Sequence, residues 1–156
     1  MDIKSNPIEE KIQSNGFHSD EEKVYVNLIF SGMKAFREIT IFMRAFNLTE
    51  PQYNILRILR GSYPTSLLAQ DIQSRMIHNA SNTTRLIDKL IEKKFVKKFK
   101  DKEDRRMIHH VITKNGLLLL NEIDPLLIIH CKETIQLNST KLKQLSDLLD
   151  DLTKTL

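Results

Sequence analysis

The chain of 156 residues is predicted to be mainly α-helical, with a small β-wing of two or three strands between the helices. Apolar residues recur at helical spacing along most of the sequence. Between Phe95 and Ile112, apolar and polar residues instead alternate, which is typical of paired strands. With 40% hydrophobic and 28% charged residues, the composition is that of a soluble globular protein that can bury its own core.

The N-terminal region contains one long helix, predicted from about Ser19 to Phe46. Ser19 followed three residues later by Glu22 has the spacing of a capping box. The apolar stripe of this helix is wider than one domain face requires, which indicates that a second chain packs there. Residues 1–17 are polar and are expected to be loosely ordered.

Three shorter helices and a strand pair follow. "LTEPQYNILRILRG" predicts a helix that is capped by Thr49 and ended by Gly61. "TSLLAQDIQSRM" and "NASNTTRLIDKLIEKK" predict two further short helices joined by a tight connection. Two strands flank the charged run from Lys100 to Arg106. Their loop is expected to exceed two residues because it contains neither Gly nor Asn-Gly.

The C-terminal region predicts two helices. The first runs from Thr113 to Gln136 with Pro125 inside it, and the second is capped by Asn138. Leucines of the second helix recur in steps of three and four, which is typical of a dimerisation stripe. This leucine stripe consists of Leu142, Leu145, Leu149 and Leu152, and the same spacing continues to Leu156.

The order of these elements predicts three segments. Residues 1–47 form an N-terminal arm and a dimerisation helix, and residues 113–156 form the C-terminal dimerisation helices. Residues 48–112 form the lobe between them. Two short helices followed by a strand ribbon constitute a winged helix-turn-helix, so the full fold class is a winged helix-turn-helix with helical dimerisation flanks.

Positive charge is concentrated in one part of the chain. Residues 75–106 hold eleven Lys or Arg and five Asp or Glu, a balance of +6, whereas the whole chain carries +4. A basic region on a near-neutral body is the electrostatic footprint of a polyanionic partner such as nucleic acid. A solvated lysine-rich surface has the same composition, so charge alone leaves both alternatives open.

The second short helix, residues 79–93, has the face of a DNA-reading helix. When Leu86 and Leu90 point inward, Ser81 and Arg85 point outward, and Asn82, Thr84 and Lys89 lie at the flanks. An α-helix fits the major groove, and one Arg can pair bidentately with guanine. The acidic side chains lie in the other half of the helix. The arginines of the wing are expected to enter a narrow minor groove.

The sequence resembles the MarR family of winged-helix transcriptional regulators over roughly residues 18–156. The resemblance is carried by "LTEPQYNILRIL", "LAQDI", "TTRLIDKLIEKKFVKK" and "DKEDRRMIHHVITKNG". It implies a homodimer that binds pseudo-palindromic duplex DNA and responds to small phenolic or lipophilic ligands or to oxidants. One departure is Lys94, where the family has Gly in a left-handed turn. Keeping that turn costs a lysine ~1 kcal/mol.

By position, the resemblance assigns roles to single residues. Arg106 matches the wing arginine that enters the minor groove, and Asp104 the aspartate that supports it. Thr84 and Arg85 match the pair on the recognition helix. Thr65 and Ser66 lie where a helix start meets phosphate. The complete set of expected DNA contacts is Thr65, Ser66, Asn79, Ser81, Asn82, Thr84, Arg85, Lys89, Lys100, Lys102, Arg105 and Arg106, with further phosphate contacts from Lys97 and Lys98.

We therefore expect a cytoplasmic transcriptional regulator that binds double-stranded DNA sequence-specifically as a homodimer on a pseudo-palindromic operator. Release by a small lipophilic or phenolic effector is implied, with Phe30, Phe36 and Tyr53 as candidates for its pocket; plain core packing is the alternative for these residues. The alternative function is a winged-helix protein–protein interaction or dimerisation module without DNA binding.

Other classes of protein lack support in the sequence. No catalytic motif, cofactor fingerprint or metal-ligand spacing is present, and no apolar run is long enough to span a membrane. His109 and His110 are adjacent on a strand and point to opposite faces. The single Cys131 excludes an intramolecular disulfide and is expected to be a small buried hydrophobe rather than a redox sensor. We expect no enzyme, no metal, no cofactor and no membrane partner.

Overall fold

The computed structural model describes residues 8–77 and 82–155. The chain divides into two compact units, Met1–Glu50 and Pro51–Leu156. The described elements are α1 (Ile8–Ile12), α2 (Asp20–Arg44), α3 (Glu50–Ser62), β1 (Leu67–Leu68), α4 (Ala69–Ser74), α5 (Thr83–Glu92), β2 (Val96–Lys100), β3 (Ile108–Ile112), α6 (Lys114–Thr134) and α7 (Ser139–Thr153). The predicted mainly helical class with a small sheet is confirmed.

The N-terminal unit is built on α2. The hydroxyl of Ser19 accepts a hydrogen bond from the N–H of Glu22 at 3.2 Å, so the helix begins where the capping pattern predicts. The expectation of loose order up to residue 17 was wrong for α1. Ile8 is buried, and Oε1 of Glu9 lies 2.6 Å from Nζ of Lys23 on α2. This contact ties α1 to α2 within the unit.

The second unit begins with the predicted short helices. Ile55, Leu56 and Leu59 of α3 are fully buried, as is Ile72 of α4. The predicted end of α3 at Gly61 is one residue early, because the helix continues to Ser62. Of the second short helix, Thr83–Glu92 is described, and the predicted start at residue 79 lies outside the described residues.

The sheet contains three strands in the order β1-β3-β2, and both pairs of neighbours are antiparallel. The sequence predicted two or three strands, and the structure has three. Lys98 of β2 is paired with His110 of β3, and Val96 with Ile112. Alternation places Val96, His110 and Ile112 on one face, and all three are buried. The strands are joined by residues 101–107, longer than a two-residue turn, as expected. We call β2, β3 and this loop the wing, and residues 101–107 the wing turn.

The base of the wing is fixed to the first turn of α6. The hydroxyl of Thr113 donates to the carbonyl of Lys94 at 2.8 Å, and its N–H donates to the carbonyl of Phe95 at 2.9 Å. Lys94 has φ = 63°, so the left-handed turn is kept although the residue is not Gly. A Cβ on Gly116 would lie 2.5 Å from the carbonyl oxygen of Phe95, so this close approach requires glycine.

The C-terminal helices leave much apolar surface uncovered within one chain. Asn138 accepts from the N–H of Lys141 at 2.9 Å, which confirms the predicted start of α7. None of the described residues of α7 is buried. The leucine stripe is exposed by about two fifths at Leu142, Leu145 and Leu149, whereas Leu156 lies outside the described residues. The expectation that Cys131 is buried was wrong, because it lies exposed on α6.

Candidate nucleic-acid interface

The recognition helix α5 turns a small polar face outward. Ile87 and Leu90 are fully buried, while Thr84 and Arg85 are exposed. Thr83, which sequence reasoning did not single out, is buried, and its hydroxyl lies 3.5 Å from the sulfur of Met76. This contact holds the first turn of α5 from the inside and leaves Thr84 and Arg85 accessible to a partner.

The acidic side chains of α5 are paired with lysines of the same unit. Asp88 Oδ1 lies 2.9 Å from Nζ of Lys98 on β2, and Glu92 Oε2 lies 3.0 Å from Nζ of Lys89. Both pairs are about half exposed, so each contributes little to stability, on the order of 0–1 kcal/mol. Two lysines that the sequence assigned to phosphate contact therefore have weak internal partners that a phosphate can replace.

The wing turn is shaped by one carboxylate. Oδ1 of Asp101 accepts hydrogen bonds from the N–H groups of Glu103 at 2.8 Å and Asp104 at 3.1 Å. The backbone donors of Asp104 and Glu103 hold the pKa of Asp101 below its usual value. The loop is closed by the N–H of Asp101, which donates to the carbonyl of Met107 at 2.9 Å. The turn therefore has a defined conformation without Gly or Pro.

Arg106 is held by Asp104. Its Nε lies 3.0 Å from Oδ1 of the carboxylate and its Nη2 lies 3.2 Å from Oδ2, a bidentate arrangement. The Arg106 side chain lowers the pKa of Asp104, as does the backbone N–H of the same residue. The Arg106 side chain is nevertheless 91% exposed. An exposed, oriented arginine on a wing matches the arrangement that the sequence implied for these two residues.

The start of the helix-turn-helix contains a contact that the sequence did not indicate. Oγ of Ser66 lies 3.1 Å from Nδ1 of His109 on β3. Thr65 beside it is exposed. The two residues are 43 positions apart in the chain, and neither has a spacing motif that would pair them.

Most of the expected DNA contacts are accessible. The exposed ones are Thr65, Asn82, Thr84, Arg85, Lys89, Lys100, Lys102, Arg105 and Arg106, and Ser66 is half-buried. Asn79 and Ser81 lie outside the described residues. Contact of these side chains with DNA is still a prediction.

The three candidates for an effector pocket lie in different places. Phe30 lines a cavity of about 320 Å³ in the N-terminal unit together with Ile8, Lys11, Lys23 and Lys34. Phe36 is 41% exposed on α2. Tyr53 is buried on α3 of the other unit, and burial raises the pKa of its hydroxyl. The effector pocket stays a prediction.

Residues 8–77 and 82–155 contain neither a cluster of metal ligands nor a membrane-spanning helix. No group of three or more His, Cys, Asp or Glu side chains there is placed to hold a metal ion. None of the helices in this described part is long and apolar enough to cross a bilayer.

The two short helices α4 and α5, followed by the wing, define the chain as a winged helix-turn-helix protein. The model of the MarR family matches residues 48–108, which span α3 to the start of β3. Over these residues the chain is similar to this family of transcription regulators, so the resemblance seen in the sequence is confirmed there. No curated protein sequence matches the chain.

Several solved structures are similar to this chain over nearly their whole length. A MarR transcription factor from Planctomyces limnophilus is 28% identical, with 86% of this chain and 98% of that chain covered and a TM-score of 0.67. The MepR–DNA complex from S. aureus is 19% identical, with 85% and 97% covered and a TM-score of 0.71. Bordetella bronchiseptica BpsR, whose DNA binding is regulated by 6-hydroxynicotinic acid, is 20% identical, with 88% and 98% covered and a TM-score of 0.73.

Proposed function

We propose that this protein is a homodimeric, sequence-specific regulator that binds a pseudo-palindromic site in double-stranded DNA. The observation that carries the proposal is the pair of exposed basic features on one unit. Arg85 is exposed on α5 next to Thr84, and Arg106 is oriented by Asp104 on the wing. Both features have the shape and charge that the two grooves of DNA bind.

The two features make different contacts with DNA. The first half of α5, with Thr84 and Arg85, enters the major groove, where Arg85 pairs with a guanine edge and sets the base preference. Arg106 enters the adjacent minor groove, where it reads width rather than sequence. Lysines of α5 and the wing contact phosphates and fix the register: Lys89, Lys97, Lys98, Lys100 and Lys102.

Dimerisation is proposed from apolar surface that each unit leaves exposed. On α2 the exposed apolar side chains include Tyr25, Ile29 and Met33, and on α7 they form the leucine stripe. Several exposed apolar side chains at helical spacing on one helix are typical of subunit interfaces. A second copy of the chain would cover them and place two recognition helices on half-sites about one helical turn (~10 bp) apart.

A small lipophilic or phenolic effector is proposed to release the protein from DNA. Support comes from BpsR, which has a similar fold and whose DNA binding is regulated by 6-hydroxynicotinic acid. Phe30, Phe36 and Tyr53 are the candidates for contact with such a molecule. Their aromatic side chains suit a planar apolar ligand.

Selection of bound sequences from random duplex DNA, followed by measurement of the affinity and mass of the complex, tests the proposal. We expect one enriched site with two inverted half-sites, two protein chains per site, and an affinity that falls steeply with salt. Arg106→Ala should weaken binding to all sequences by about tenfold. The absence of any enriched sequence would contradict the proposal and would favour the winged-helix protein-interaction module.

A further inference from the structure

His109 connects two segments that both face the proposed DNA site. Its ring lies on β3 beside the ring of Phe99 on β2, with centroids 5.5 Å apart and planes 13° from parallel. Nδ1 lies 3.1 Å from Oγ of Ser66, before β1, and Nε2 lies 3.2 Å from Oδ2 of Asp101, in the wing turn. One imidazole therefore spans from the start of the helix-turn-helix to the turn that carries Arg106.

The contacts continue beyond Asp101 to the wing arginine. The carboxylate that faces His109 through Oδ2 uses its Oδ1 to hold the N–H groups of Glu103 and Asp104. Asp104 in turn holds the guanidinium of Arg106. A continuous chain of polar contacts thus runs from Ser66 to Arg106, and His109 is its only member on β3.

The contact between His109 and Asp101 is mainly electrostatic. Nε2 is buried, yet its 3.2 Å approach to Asp101 lacks the alignment of a full hydrogen bond. An ion pair depends less on direction than a hydrogen bond does, so this contact gains most when the ring is protonated. The other titratable groups on the elements around His109 are Lys97, Lys98 and Lys100 of β2, Asp71 of α4 and His110 of β3. Burial lowers the pKa of His110, which keeps that ring neutral over more of the pH range.

We propose that His109 is a positioning residue that holds the wing turn, and through it Arg106, in the orientation used for DNA. This inference rests on the proposed function. His109 acts through Asp101 and need not touch DNA itself. Its loss leaves the strands paired but allows the wing turn to adopt other conformations, so that DNA binding must order the turn again.

Protonation of His109 also changes the hydrogen bonding of Ser66. With a neutral ring whose proton is on Nε2, facing Asp101, Nδ1 accepts and the hydroxyl of Ser66 donates to it. In the protonated ring both nitrogens donate, so the oxygen of Ser66 accepts and its proton is free to donate to a phosphate. Protonation therefore strengthens the contact with Asp101 and frees Ser66 for DNA at the same time.

The first test needs no DNA. The N–H groups of Glu103 and Asp104 donate hydrogen bonds to Asp101. The exchange rates of these two amide protons are measured by NMR in the wild type, His109→Gln and His109→Phe. We expect about two- to tenfold faster exchange in His109→Phe, which keeps a ring beside Phe99 but removes both polar contacts. His109→Gln keeps a donor towards Asp101 and should stay near the wild type. The amide of Thr113, bonded to Phe95, is the internal control.

The second test is the pH profile of DNA affinity between about pH 5.5 and pH 8 at fixed ionic strength. We expect the wild type to bind about two- to tenfold more tightly at the lower end. The pH dependence should shrink in both His109 variants and in Ser66→Ala. It should persist in His18→Gln, which changes an exposed histidine paired with Glu22 in the N-terminal unit.

The two tests fail in different ways. Unchanged amide exchange in a folded His109→Phe would overturn the positioning role, as would a wild-type pH dependence that His109→Gln retains. If His109→Phe unfolds, the pH profile of His109→Gln decides the question. If the wild type binds no selected DNA, the proposed function fails, and the exchange measurement alone then shows whether His109 holds the wing turn.

Discussion

The wing and α7 are both exposed, but they are exposed in different ways. The wing turn presents charged side chains that already have partners in the same unit, such as Arg106 with Asp104 and Asp101 with two backbone N–H groups. The leucine stripe of α7 presents apolar side chains, and none of the residues described on this helix is buried. A polar surface that is ordered in advance suits a ligand of fixed shape, whereas an uncovered apolar stripe suits a second copy of the chain.

The largest effect is expected when the leucine stripe is made charged. Leu145→Glu together with Leu149→Glu places two carboxylates in the proposed interface. Each leucine is about two fifths exposed, so covering it in the dimer contributes about 1 kcal/mol, and burial of a carboxylate adds a larger cost. The dimer dissociation constant should rise at least about 100-fold, as measured by analytical ultracentrifugation. Lys143→Glu, an equally large charge change beside the stripe, is the control. A dimer that is unaffected by the double substitution would show that α7 is exposed for another reason.

Gly116→Ala should destabilise the base of the wing and leave dimerisation unchanged. The added Cβ would lie 2.5 Å from the carbonyl oxygen of Phe95 and 2.7 Å from Ile112. The Phe95 carbonyl is held by the N–H of Thr113, and Ile112 lies in β3. We expect a loss of about 1–3 kcal/mol in the free energy of unfolding, measured by denaturant titration. Gly61→Ala is the matched control, because nothing lies within 4 Å of its Cβ. Equal stability of the two variants would contradict the close approach at Gly116.

Arg85→Ala tests which part of the charged surface reads sequence. Loss of a bidentate pair with guanine should cost ~1–3 kcal/mol at the selected site and little at unrelated DNA. The ratio of the two affinities should therefore fall, as measured by fluorescence anisotropy. Lys154→Ala, a change in an exposed cation near the end of α7, should leave the ratio as it was. A uniform loss on all sequences in Arg85→Ala would instead mean that Arg85 contacts only phosphate.

The smallest effect is expected from the strained turn before the wing. Lys94 has φ = 63°, so Lys94→Gly should raise the free energy of unfolding by about 1 kcal/mol. Thermal and denaturant unfolding measure the change. Lys93→Gly, at φ = −77°, is the neighbouring control and should not stabilise the protein. Destabilisation by Lys94→Gly would indicate that the lysine side chain makes a contact worth more than the strain.

Local sequence signals predicted those helices and strands that have a capping residue or a regular spacing of apolar residues. Ser19, Asn138 and Thr113 each accept from an N–H three residues later, because capping needs only neighbours in the chain. The alternation in the wing placed both strands, and the longer loop followed from the absence of Gly. The Asp104–Arg106 pair, two residues apart, was implied by the family resemblance.

Features that depend on distant contacts were not predicted. The burial of Ile8 accompanies the pairing of Glu9 with Lys23, and no local pattern encodes it. Cys131 was expected in the core because its neighbours are apolar, yet that stretch of α6 also exposes Ile128 and Ile129. The contact of His109 with Ser66 joins two strand regions that only the folded sheet brings together. In each case tertiary structure, rather than propensity, decided the outcome.

The junction at Thr113 has a consequence for how an effector could act. Thr113 caps the N-terminus of α6 and also donates hydrogen bonds to the carbonyls of Lys94 and Phe95. The base of the wing is therefore connected to the beginning of α6. A molecule that tilts α6 would also move the wing and withdraw Arg106 from its proposed position in the minor groove. Regulation would then require no ligand near the DNA, only a small rotation at the far end of one helix.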